Sequence, residues 1–80
     1  TRYLTKVHIN GYYIIGRYHT EIEAAIAYNK AILLLTNKGF PKDFPMNYIE
    51  KLDEIAYASM FQKVRISKKF IEYVNSLDIN

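Results

Sequence analysis

Eighty residues without a single cysteine hold one domain with one modest core, and exclude a disulfide framework, a thiolate zinc site and a cysteine nucleophile. Half of the residues are apolar, which excludes a disordered chain. No apolar run, the aliphatic stretch Ile32 to Leu35 included, approaches the roughly 20 residues of a membrane-spanning helix. The net charge of +3 is segregated: residues 1–19 carry Arg2, Lys6 and Arg17 with His8 and His19 and no carboxylate, whereas the rest balances eight Lys/Arg against eight Asp/Glu.

Residues 3–18, YLTKVHINGYYIIGRY, read as two β-strands joined at Asn10-Gly11. Asn-Gly between alternating runs is the strongest local hairpin signal, because the tight turn needs positive φ at both central positions. A two-residue loop pairs Ile9 with Tyr12, Val7 with Ile14, Thr5 with Gly16 and Tyr3 with Tyr18, and turns that largely apolar set inward. The opposite face then carries Arg2, Leu4, Lys6, His8, Tyr13, Ile15 and Arg17, and with them every cation of the hairpin.

Thr20-Glu21-Ile22-Glu23 is a capping box, so a helix is expected from there to about Thr36, with Gly39 as its C-cap. It is apolar on more than one stripe. Ala24, Ala27, Tyr28, Ala31 and Leu35 line one side, and Ile26 and Leu33 lie nearer the other, which describes a helix packed between two layers. The alanines permit close approach to the hairpin. Phe40-Pro41 through Phe44-Pro45 is too broken for a helix. Asn47 is expected to cap a second helix with Ile49, Leu52, Ile55, Ala56 and Met60 at helical spacing, and Ser67 a third with Phe70, Ile71, Val74 and Leu77 as its stripe. The fold class predicted is α+β: an antiparallel β-hairpin packed on an alanine-rich helix, followed by two further helices. It forms one domain, with residues 1–46 as the hairpin-helix core and 47–80 as a helical extension. An opening on Thr1 is expected of a fragment of a longer protein.

The segment Gly16 to Ala31, G-R-Y-x-T-E-x-E-A-A-x-A-Y-N-x-A, resembles the centre of the Apetala-type (ethylene-response-factor) DNA-binding domain. The likeness runs back through the hairpin and loosely forward to the Phe-Pro segment, a little over half the chain. It implies a three-stranded antiparallel sheet against one helix, so the hairpin here is a remnant that lacks the family's first strand. Residues after Asn47 resemble the C-terminal extension of bacterial and phage members, which accompany homing endonucleases and integrases. The resemblance also implies that Tyr28 lies against a DNA phosphate. The segment between Gly11 and Gly16 is one residue shorter than the family pattern, and that pattern turns Ile15 inward where the two-residue loop turns Ile14 inward. Tyr12 and Tyr13 therefore exchange faces between the two readings, whereas Arg2, Lys6 and His8 stay outward in both.

The function expected from these features is that of a double-stranded DNA-binding module, as in a transcription regulator or the targeting domain of a mobile-element nuclease or integrase. A two-stranded ribbon fits the roughly 12 Å major groove, where arginine can take guanine bidentately and lysine or a tyrosine hydroxyl can take phosphate. The candidate DNA-binding residues are Arg2, Lys6, His8, Tyr13, Arg17 and Tyr28. The plainer alternatives are a solvated outer face for the cations and a core position for Tyr28. Lys63, Arg65, Lys68 and Lys69 form a second basic cluster, read mainly as surface. No catalytic group, cofactor or metal site is expected: Ser59, Ser67 and Ser76 lack a general base, and the two histidines lack acidic or cysteine companions. The competing function is a protein-interaction or homodimerisation module that pairs through the exposed edge of residues 2–9. The expected setting is cytoplasmic, at the nucleoid in a bacterium.

Overall fold

The computed structural model describes residues 2–50 and 52–77. Two strands, β1 (Tyr3–His8) and β2 (Tyr12–Tyr18), are followed by three helices, α1 (Glu21–Lys38), α2 (Glu54–Lys63) and α3 (Lys68–Ser76). The α+β architecture is that expected: an antiparallel hairpin on a long helix, with two helices after it.

The hairpin departs from the two-residue loop. Asn10 (φ 51°) and Gly11 (φ 118°) do adopt positive φ, but His8 pairs with Tyr12, so Ile9, Asn10 and Gly11 form a three-residue loop. Tyr3 pairs with Tyr18 and Thr5 with Gly16, as expected. Then the register slips: Lys6 faces Ile14 and Val7 faces Tyr13, which leaves Ile15 as the extra residue of a β-bulge. One inserted residue exchanges the faces of everything between bulge and turn. Ile15 is consequently buried with Val7, Ile9, Thr5 and Tyr18, while Ile14 is exposed. The inward placement of Ile14 and of Tyr12 from the two-residue loop is thereby corrected.

Gly16, beside the bulge, is where Tyr18 folds back; a Cβ there would run into the Tyr18 ring. The Tyr18 hydroxyl donates to the Arg65 carbonyl at 2.6 Å, and the Ser67 amide donates to the Ile15 carbonyl at 2.8 Å. The link between α2 and α3 thus ties directly onto β2, one bond falling on the bulge.

α1 begins where the capping box places it: Thr20 Oγ1 accepts from the Glu23 amide at 3.1 Å, and the Glu23 carboxylate reaches back to that hydroxyl rather than to the Thr20 amide, accepting from it at 3.0 Å. It runs to Lys38 and closes at Gly39 (φ 89°), with the Gly39 amide on Thr36 and the Phe40 amide on Leu35, both at 3.0 Å, the two bonds of a Schellman close. Its buried residues are Ile26, Ala27, Asn29, Ala31, Ile32 and Leu35. Ala27 and Ala31 have no exposed surface, as a close approach of neighbouring elements demands. Leu33, expected near a second buried stripe, is exposed.

The second helix starts later than expected. Asp53 caps it, accepting from the Ala56 amide at 2.7 Å, and Ile49 and Leu52 lie in the irregular segment before it. Ile55, predicted on the apolar stripe, is 84% exposed. Asn47 is engaged elsewhere: its amide donates to Asn29 Oδ1 at 2.7 Å and its carbonyl accepts from Asn29 Nδ2 at 3.0 Å. The buried Asn29 also donates to the Tyr57 hydroxyl at 3.0 Å. A polar side chain buried in α1 thus pins both the connector and α2, and its own hydrogen-bonding needs are met there. Lys30 Nζ donates to the carbonyls of Phe61 and Val64, each at 3.0 Å, a cation on the negative end of α2. In α3 the expected cap and stripe hold: Ser67 accepts from Phe70, and Phe70 and Val74 are buried. Among the described residues no helix is long and apolar enough to cross a membrane.

Candidate nucleic-acid interface

The outer face of the hairpin is built by alternation and then reset by the bulge. Arg2, Leu4, Lys6 and His8 alternate on the β1 side with the buried Thr5, Val7 and Ile9. On β2, Arg17 lies opposite Leu4, Ile14 opposite Lys6, and Tyr12 opposite His8. All seven side chains are exposed. The Lys6 ammonium sits 4.3 Å from the centre of the Tyr12 ring, and the His8 and Tyr12 rings are tilted together at 4.8 Å. A ring that holds a cation on its face lets the charge stay accessible while part of its stem is packed.

Of the six residues expected to touch DNA, the structure brings Arg2, Lys6, His8 and Arg17 onto this face. Tyr13 is elsewhere, and its outward placement is corrected. It is half-buried, stacked on Tyr73 at 4.5 Å and edge-on to Phe70 at 6.4 Å, because the slip at Ile15 pairs it with the inward Val7. Burial raises the pKa of the Tyr73 phenol, and the adjoining Tyr13 hydroxyl adds to the shift. Tyr28 is also half-buried, but it lines a groove of about 400 Å³ along the free side of β1 with Tyr3, Leu4, Thr5 and Lys6. Glu21 lines the same groove and is the carboxylate nearest to the cationic face in sequence.

Sequence reasoning left Tyr12 and Ile14 out of the candidate site, placed Leu4 on the outer face without giving it a role, and read Lys69 mainly as surface. The signal for Tyr12 and Ile14 was the family spacing that turns Ile15 inward, since both must then point out. Lys69 required the tertiary structure. It lines a second groove, of about 470 Å³, with Tyr12, Ile14, Ser67 and Phe70 on the other side of the hairpin. The first turn of α3 carries Lys68 and Lys69 and no acidic residue. Cations at a helix N-terminus oppose the macrodipole, which itself contributes about half a positive charge there. The positive potential of the hairpin is therefore extended past β2 rather than offset.

Among the described residues no cluster of His, Cys, Asp or Glu could hold a metal ion. No protein-family model, curated protein sequence or solved structure matches the chain.

Proposed function

We propose that this domain binds double-stranded DNA by laying the outer face of the hairpin into the major groove. One observation carries the reading: Arg2, Lys6 and Arg17 share an exposed face that holds no carboxylate, and Lys69 adjoins it across a shared groove. The resemblance to the Apetala-type domain supports the same reading. The cations supply the attraction to phosphate, and His8 and Tyr12 offer hydrogen-bonding groups at the tip. Tyr28 is a further phosphate ligand at the groove beside β1. The module itself is non-catalytic and acts as the DNA-addressing part of a regulator or mobile-element protein, in the cytoplasm or at a nucleoid.

The test is a titration of labelled duplex at two salt concentrations. Release of about three counterions predicts roughly fortyfold weaker binding for a fourfold rise in salt, and about five, with Lys68 and Lys69 engaged, roughly five hundredfold. Salt-independent binding, or none at low salt, refutes the reading.

A second reading has its own observation. The α2–α3 link bonds onto β2, whereas among the described residues no strand lies along the edge of β1 that faces away from β2. That free edge can accept a strand from a second copy or another protein. Strand pairing of this kind resists salt, which separates it from groove binding.

A further inference from the structure

Phosphate contacts require no apolar surface, yet the middle of the cationic face is apolar. Leu4 is 46% exposed and Ile14 47% exposed. The two are diagonal neighbours on adjoining strands, Leu4 opposite Arg17 and Ile14 opposite Lys6. Such a diagonal spans roughly 7–8 Å, within reach of one another's side chains. Ile14 is there only because the bulge sends Ile15 into the core in its place. A single exposed leucine calls for no explanation, but two branched aliphatic side chains ringed by Arg2, Lys6 and Arg17 are a different matter. A polyanion must supply what meets the ring, and an apolar group of that polyanion must meet the centre.

In the major groove, the apolar feature that distinguishes one base pair from another is the methyl group on C5 of thymine, and 5-methylcytosine presents the same group at the same position. We infer that Leu4 and Ile14 read pyrimidine C5-methyl groups, so that the domain selects duplexes by their methyl pattern while its cations hold the phosphates. The inference rests on the major-groove reading proposed above. Each methyl buried against Leu4 or Ile14 strengthens binding about fourfold.

Mixed-sequence duplexes of one length, prepared with thymine or with uracil, and with cytosine or with 5-methylcytosine, test it by titration at low salt. The uracil duplexes are expected to bind about fourfold or more weakly than their thymine counterparts, and the 5-methylcytosine duplexes correspondingly more tightly than the unmodified ones. In the L4A/I14A variant both ratios fall to about one. Should that variant fail to fold by its amide spectrum, L4A alone, which leaves the bulged strand β2 unchanged, must show reduced ratios. Equal affinities in both pairs overturn the inference and leave DNA binding standing. Ratios that persist in the folded variant overturn the assignment to Leu4 and Ile14. Absence of binding to every duplex overturns the inference together with the function it rests on.

Discussion

Tyr18 is the residue through which the two halves of the chain meet. Its ring lies over Gly16, and its hydroxyl bonds the Arg65 carbonyl 47 residues away. Gly16→Ala puts a methyl group where the ring is, so it should cost about 1–3 kcal/mol of stability by overpacking, measured by urea unfolding. Tyr18→Phe keeps the ring and removes the bond, for about 1 kcal/mol. Burial, and after it the Glu23 carboxylate, raises the Tyr18 pKa above the ordinary 10.0. A folded pKa above the unfolded one means that the contribution is full below pH 10 and is lost as pH rises through the folded value. Unfolding midpoints of the native chain should therefore fall on the alkaline side of pH 10, and those of Tyr18→Phe should fall less steeply. Parallel curves would deny the buried phenol that role. Asn29 offers a comparable test: buried and bonded to both Asn47 and Tyr57, it should cost about 1–3 kcal/mol when replaced by Ala, because the Asn47 amide loses its acceptor.

At the scale of the element, α3 sets stability against charge. It has nine residues with Lys68 and Lys69 in its first turn and no acid there, an order that the macrodipole disfavours. Lys68→Glu and Lys69→Glu should each stabilise the fold by about 0.3–1 kcal/mol while weakening duplex binding and lowering its salt slope. Thermal melts and titrations of the same two variants measure both effects. A loss of stability would show that the lysines hold α3 in place by contacts of their stems; a gain without any change in binding would exclude α3 from the interface. α2 illustrates the opposite balance. No residue of it is fully buried: Tyr57, Met60 and Phe61 pack only partly buried against the core, and polar bonds from Asn29 and Lys30 add to the hold. Amide exchange should accordingly be faster in α2 than in α1, whose long apolar faces are enclosed on several sides.

For the whole molecule, the hairpin is covered on one edge and free on the other. Arg17→Ala should weaken all duplexes alike and reduce the salt slope by about one counterion, whereas Arg2→Ala and Lys6→Ala should also relax any base preference those side chains read. Amide shifts on adding duplex should gather on residues 2–17 and the first turn of α3. Shifts confined to 47–63 would discard the hairpin as the binding surface. The free edge of β1 predicts a separate event: self-association at high concentration, insensitive to salt and visible in sedimentation. A monomer at millimolar concentration would argue that Lys6 and the exposed Arg2 are enough to protect that edge.

Local chemistry made much of this legible from the sequence. Asn10-Gly11 marks a reversal because few residues tolerate positive φ; Thr20 marks a helix start because its side chain meets an orphan amide; and Phe70 and Val74 mark a buried face because 3.6-residue spacing repeats it. The segregation of Arg2, Lys6 and Arg17 follows from strand alternation alone. Other features could not be read locally. Asn47 has a cap's chemistry, but its pairing with Asn29 across the fold engages it, and Asp53 caps α2 instead. The bulge at Ile15 is of the same kind. Period-two alternation allows either Ile14 or Ile15 inward, and Ile15 is the one buried in the core, with its carbonyl taken by the Ser67 amide, 52 positions along the chain. That long-range choice turned Tyr13 into the core and left Tyr12 and Ile14 among the cations, so the composition of the candidate interface was settled by tertiary packing and its charge by the sequence.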